Sequence, residues 1–180
     1  AGGLPPSRQR GTAQMDTLTP RSTDLFNSPL EAGIRAVTVL EMLRPAEMDL
    51  SDMVLLDHVV VHSGDMNGPA SLHPDLPGRK GELLVRRRLV EDSLNLMRRF
   101  HLIELRVSDD GLTYRATDEA AGYVELLESE YSIRLKVAAR WIADEIGVRG
   151  KNGFLNTVRR QLGEWATAFI DPTDAAGRRV

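Results

Sequence analysis

Apolar residues along this chain fall into separate blocks, and the spacing within each block indicates an element. Ser28-Pro29-Leu30-Glu31 sets a capping serine before a proline at the first helical position, with a glutamate placed to complete a capping box. Ile34, Val37, Leu40 and Leu43 follow at helical spacing until Pro45, which predicts a helix over about 29–44. A second start at Ser51, with Leu50 available as a staple onto Val54 or Leu55, opens a helix over about 52–62. Met53, Val54, Leu55, Leu56, Val59, Val60 and Val61 surround that helix, and only Asp57, His58 and His62 interrupt them. It therefore lies at the centre of the core, or divides between the core and a partner surface. Residues 63–81, SGDMNGPASLHPDLPGRKG, carry too much glycine and proline for a helix or strand. Loops of this length are uncommon in compact domains, which makes this one a candidate site.

Helical periodicity returns over about 82–100, where Leu83, Val85, Leu89, Val90, Leu94, Leu96, Met97 and Phe100 share one half of the circumference. LIELRV and LTYRA then alternate about Ser108-Asp109-Asp110-Gly111, which predicts a β-hairpin. Thr117 caps a long helical stretch over about 118–147 with a bend near Ser129, and Gly147, Gly150 and Gly153 end it. A last helix over about 154–170 gathers Phe154, Leu155, Val158, Leu162, Trp165, Ala166 and Phe169 in a narrow stripe. Two readings of this helix stay open: it packs back on the domain, or it docks in a partner's groove through Phe154, Leu162, Trp165 and Phe169. Residues 1–24 read as a disordered tail, 25–147 as the body, and 148–180 as the amphipathic helix with a polar tail.

The fold class is thus mainly α with a small β-hairpin (α+β). Three helices, a hairpin and a helix follow the order of a winged helix-turn-helix, so the expected architecture is a winged-helix-like body plus long C-terminal helices. In that fold the third helix would read DNA and the hairpin would be the wing. Arg87, Arg88, Arg98 and Arg99 lie on its solvent half as weak nucleic-acid candidates, but Glu91 and Asp92 follow Arg87 and Arg88 at pairing distance. Asp109 and Asp110 at the wing tip would repel phosphate, so protein binding is preferred over DNA reading. Arg86 falls inside the apolar arc beside Ser93 and needs a carboxylate: Glu31, Asp57 and Asp65 are available, or a partner chain supplies it.

Composition adds exclusions. The chain has no cysteine, so disulfides, thiolate nucleophiles, iron–sulfur ligation and cysteine zinc knuckles are out, as suits a reducing, cytoplasmic setting. No window is apolar for long enough to span a membrane. The net charge of −3 conceals a division, because residues 79–99 are strongly basic while 109–130 are strongly acidic. His62, Asp65, His73 and Asp75 offer metal-ligand chemistry at a spacing that matches no established pattern. Without a P-loop, nucleophile elbow, dinucleotide fingerprint or HExxH, no catalytic residue, cofactor or metal is predicted.

LFNSPLEAGIRAVTVLEML (25–43) followed by LLDHVVVHSGDMNGPASLHPDLPGRKGELLVRRRLVEDSLNLM (55–97) resembles the small middle component of bacterial ABC-three-component systems. The phrases HSGD and SLHP, then Pro-x-Arg-x-Gly-Glu at Pro77 to Glu82, carry the likeness, which extends to about Ile146. The resemblance implies a non-enzymatic, winged-helix-like subunit acting with an SMC-like ABC ATPase and an effector, often a nuclease, in Lamassu-type antiphage and antiplasmid defence. It implies an adaptor that could touch DNA within the complex. It transfers no settled site, so His62, Asp65, His73 and Arg79 stand as motif residues and, with Arg86, as partner-interface candidates. The alternative is a winged-helix DNA-binding transcriptional regulator.

Overall fold

The computed structural model describes residues 28–73, 82–109 and 111–163. Helix α1 spans Pro29–Met42, and its capping box forms as the sequence indicates: Ser28 Oγ accepts from the Glu31 N–H at 3.2 Å, and the Glu31 carboxylate accepts from the Ser28 N–H at 3.4 Å. Helix α2 spans Leu50–Val61, and its cap is Asp49 instead of Ser51. Asp49 accepts from the Asp52 N–H at 2.7 Å while Asp52 accepts from the Asp49 N–H at 3.4 Å, so an acidic reciprocal box starts the helix earlier than the serine would. Helix α3 covers Glu82–Arg99, and strands β1 (Ile103–Ser108) and β2 (Gly111–Ala116) pair antiparallel with Val107 opposite Leu112. The architecture is mostly helical with one two-stranded sheet.

The long helix expected over 118–147 is two helices, α4 (Asp118–Glu125) and α5 (Glu130–Arg149). Ser129 breaks it, since its Oγ accepts from the Ser132 N–H at 3.1 Å and so caps a new start. Thr117 caps α4 by position only; its hydroxyl donates instead to the His101 carbonyl at 2.6 Å, tying the end of the hairpin back to its beginning. Gly147 and Gly153 lie inside helices, and the junction falls at Gly150, from which α6 runs over Lys151–Leu162. The helix expected to reach 170 stops there.

Helix α2 takes the central reading. Met53, Val54, Leu55, Leu56, Val59, Val60 and Val61 are all buried, under residues of α1, α3, α5, α6 and β2. Met48, between α1 and α2, exchanges two backbone hydrogen bonds with Tyr114 at 3.0 and 2.7 Å, which extends the hairpin at the edge of β2. The loop after α2 is less open than its composition suggests. It starts with a 3-10 turn at Ser63–Met66, and then the Gly68 N–H donates to the Ser63 carbonyl at 2.9 Å and the Leu72 N–H to the Val61 carbonyl at 2.9 Å. A Cβ on Gly68 would stand 2.8 Å from the Trp141 ring and 2.9 Å from the Ser63 carbonyl oxygen, so only glycine lets this turn lie against α5. No helix among the described residues is long and apolar enough to cross a membrane.

Candidate functional site

Asp57 is the one acid in the apolar wrap of α2, and two arginines converge on it. Arg35 of α1 donates from Nε to Asp57 Oδ1 at 2.6 Å and from Nη2 to Oδ2 at 3.3 Å, and Arg86 of α3 donates from Nη1 to Oδ2 at 2.6 Å. All three side chains are buried. Of the carboxylates open to Arg86 in the sequence, the fold selects Asp57; Glu31 is used in the α1 cap. Burial pushes the Asp57 pKa up, but the Arg35 charge and then the Arg86 charge overcome this and hold it below the usual carboxylate range. The triad carries two positive charges against one negative.

The two halves of the loop motif meet beside this excess charge. His73 Nε2 lies 3.2 Å from the Tyr131 hydroxyl, which also interacts with Arg35. The His62 ring centroid stands 6.3 Å from His73 and 4.8 Å from His58. Burial, then the charges of Arg35, His62 and Arg86, push His73 down to about 4, so it is neutral near pH 7. An unfolded histidine titrates near 6.5 and therefore binds the extra proton first. Stability is thus expected to fall as pH drops from about 6.5 to about 4. His73→Gln should flatten that part of the profile, measured as urea midpoints across this range; an unchanged slope would count against the assignment.

Asp65 faces elsewhere. With His58, His62, Met66, Val158 and Leu162 it lines a cleft of about 220 Å3 between the end of α2, the 3-10 turn and the last turn of α6. Among the described residues no three or more histidine, aspartate or glutamate side chains are arranged to hold a metal. Arg79, Asp75, Asp110, Trp165, Phe169 and the tail over 1–24 lie outside the described residues.

The α3 arginines divide. Arg87 is half-buried and donates to Ser51 Oγ at 3.3 Å, whereas Arg88, Arg98 and Arg99 are exposed, Arg98 donating to Asn95 Oδ1 at 3.2 Å. Phe154, expected as a candidate partner anchor, is instead a core residue: it is 1% exposed and meets Trp141 edge to face at 6.1 Å. The reading in which the last helix packs back on the domain holds for Lys151–Leu162, because its stripe of Phe154, Leu155 and Val158 completes the cover over α2. Asp52 adds a polar tie that the sequence reading missed, pairing with Lys151 Nζ at 2.7 Å and with Arg159 Nη2 at 3.5 Å. Its signal was an acid in the first turn of α2 that helix capping alone does not require to be buried.

One face of α5 mixes exposed apolar and charged residues, with Arg140 and Asp144 between Val137 and Val148. Ile133 and Val137 are just over half exposed and Val148 is 85% exposed, all on one face at helical spacing, with Leu126 79% exposed just before the helix. Exposed apolar residues set among charged ones are ordinary on a protein surface, and the adjacent pair Ile133 and Val137 is the larger apolar exposure on this helix face.

The family model for the ABC-three component (ABC-3C) system Middle Component 2 matches residues 25–168. No curated protein and no solved structure matches the chain.

Proposed function

From the premise that this chain belongs to the Middle Component 2 family of ABC-three component systems, we propose that it is a non-catalytic adaptor of such a system. It joins an SMC-like ABC ATPase to an effector, a nuclease in the favoured case, within a cytoplasmic antiphage or antiplasmid defence complex. The observation that carries this reading is the family match over residues 25–168, with the neighbouring half-exposed Ile133 and Val137 on α5 as the surface through which a partner would be met. A winged-helix-like body is part of the proposal, supported by three helices followed by a hairpin and by the Met48 pairing onto β2. The excess of basic residues over 79–99 and of acidic residues over 109–130 supports a bridge that meets unlike partners.

Co-expression with the adjacent ATPase and effector genes, followed by pull-down, tests the reading. Both proteins should co-purify, and Ile133→Asp with Val137→Asp should cut recovery of at least one of them about tenfold or more. The variant should keep a cooperative thermal transition, because both side chains are more than half exposed and each new carboxylate can reach water. Failure of either protein to co-purify would sink the adaptor. Retention of duplex DNA by the chain alone, lost on changing Arg98 and Arg99 to Glu, would put the regulator in its place.

A further inference from the structure

Strand β1 presents an open edge. The sheet has two strands, and β2 gives its other side to Met48, which exchanges both backbone hydrogen bonds with Tyr114. Leu105 lies opposite Tyr114 in the hairpin, so this pair is a non-hydrogen-bonded position of the ladder, and Leu105 turns its N–H and C=O away from β2. Alternation extends this to Ile103 and Val107. The Thr117 N–H, donating to the Leu102 carbonyl at 3.1 Å, fixes the same phase from the open end of the hairpin. Among the described residues, no further backbone group bonds the outward N–H and C=O of Ile103, Leu105 and Val107. Such a row is a template for one more strand. The strand also grows more exposed toward its turn: Leu105 is partly buried, Arg106 is 50% exposed and Val107 is 79% exposed.

We infer that a second copy of this chain occupies the edge, its β1 antiparallel to the first across a two-fold axis at Leu105, so that two hairpins form one four-stranded sheet. Charge chooses both the occupant and the register. Outward residues must face outward residues, which an axis at Glu104, Leu105 or Arg106 allows. An axis at Glu104 sets two glutamates opposite each other and one at Arg106 sets two arginines, and both pairs repel. With the axis at Leu105, each Glu104 meets Arg106 of the other copy at a non-hydrogen-bonded position, where side chains approach closest. Both heads are accessible, Glu104 at 40% and Arg106 at 50%. The contacts of Arg106 within its own chain are long, 3.7 Å to Glu47 and 3.9 Å to Glu104, so it can turn to the facing carboxylate; Glu104 also accepts from Arg115. On the opposite face Leu105 meets Leu105, and Val107 is brought beside Ile103 at the rim of the second core. One strand thus carries both halves of its own complement, which a foreign strand would have to supply. The inference stands apart from the adaptor reading, because it needs no other protein.

Sedimentation velocity on the full chain, between about 5 μM and about 500 μM, tests the pairing. Two six-residue strands bury less than a standard interface, so the dimer should be weak, with a Kd on the order of 10–100 μM. Arg106→Glu and Glu104→Arg, each alone, set like charges opposite and should weaken dimerisation about tenfold or more. An equimolar mixture of the two single variants should recover it as a heterodimer, which variants that had lost their fold could not do. Val107→Pro removes an outward N–H at an exposed position and leaves the bonds between β1 and β2 in place. It should give a monomer whose thermal midpoint is little changed. A chain that stays monomeric at about 500 μM overturns the proposal and leaves the edge to a strand of another protein. A dimer indifferent to Val107→Pro and to both charge variants lies on another face and overturns it equally, as does a mixture of the single variants that fails to pair.

Discussion

Asp57→Ala is expected to destabilise the chain by about 3–5 kcal/mol, because it leaves two buried guanidinium groups with no counter-charge. For a protein of this size that lowers the thermal midpoint by roughly 10 °C or more, a large share of a typical domain's total of about 5–15 kcal/mol. The magnitude follows from geometry. Arg35 is 1% exposed and Arg86 7%, so neither can recover its hydration without moving α1 or α3 away from α2. Each guanidinium also loses a hydrogen bond of 2.6 Å, at the short end of charge-assisted contacts. The other direction of substitution separates charge compensation from shape. Converting Arg35, Asp57 and Arg86 together to apolar residues of similar volume should restore most of the midpoint, since a buried ion network contributes little beyond a well-packed apolar cluster. Such a triple variant would still lose the charges that hold His73 neutral, so its acid sensitivity should shift as well. A single Asp57→Ala whose midpoint stays within a degree or two of the parent would show that water reaches the triad.

The triad also shows how far the sequence was legible. Asp57 was visible as an acid interrupting the apolar run of α2, and Arg86 as an arginine inside an apolar arc; periodicity exposes such misfits because it predicts what should stand there. Their pairing was not visible, because it depends on the crossing of α2 and α3. Arg35 escaped notice altogether, since it follows Ile34 in a helix whose apolar residues did not mark its full buried face. Local competition explains the displaced boundaries. Asp49 outcompetes Ser51 for the cap of α2, and Ser129, where a bend was expected, captures the Ser132 N–H and makes that bend a full break between two helices. In the described part of the loop, Ser63 to His73, composition tells only half of the reason for its glycines. Glycine and proline exclude regular structure, yet Gly68 is there because the Trp141 ring leaves no room for a Cβ, a reason that exists only once α5 is in position. The same dependence on tertiary packing fixed the fate of the last helix, whose stripe suited a core and a partner groove equally well.

Phe154→Ala should be the second large effect, costing about 3–5 kcal/mol as a buried phenyl is exchanged for a cavity. The competing explanation for the seat of α6 is ionic, through Lys151 and Arg159 on Asp52. Lys151 is 38% exposed and Arg159 29% exposed, so both cations are partly screened, and the buried Asp52 keeps its hydrogen bond from the Asp49 N–H without them; the pairs together contribute about 1–2 kcal/mol. Phe154→Ala is therefore expected to outweigh a Lys151→Ala, Arg159→Ala double variant in urea-unfolding free energy. The loss should also spread. Phe154 lies against Trp141, and Trp141 covers Gly68, so the cavity loosens the same ring that holds the turn after α2. Amide hydrogen exchange should accelerate in α6 and in Ser63 to Leu72 together, while β1 and β2, which do not touch the Trp141 ring pair, change mainly through the global opening. If exchange rose in α6 alone, the helix would be a separable appendage and the link through Trp141 would be wrong. If the double variant matched Phe154→Ala, the charges on Asp52 and not the aromatic pair would be what holds α6 in place.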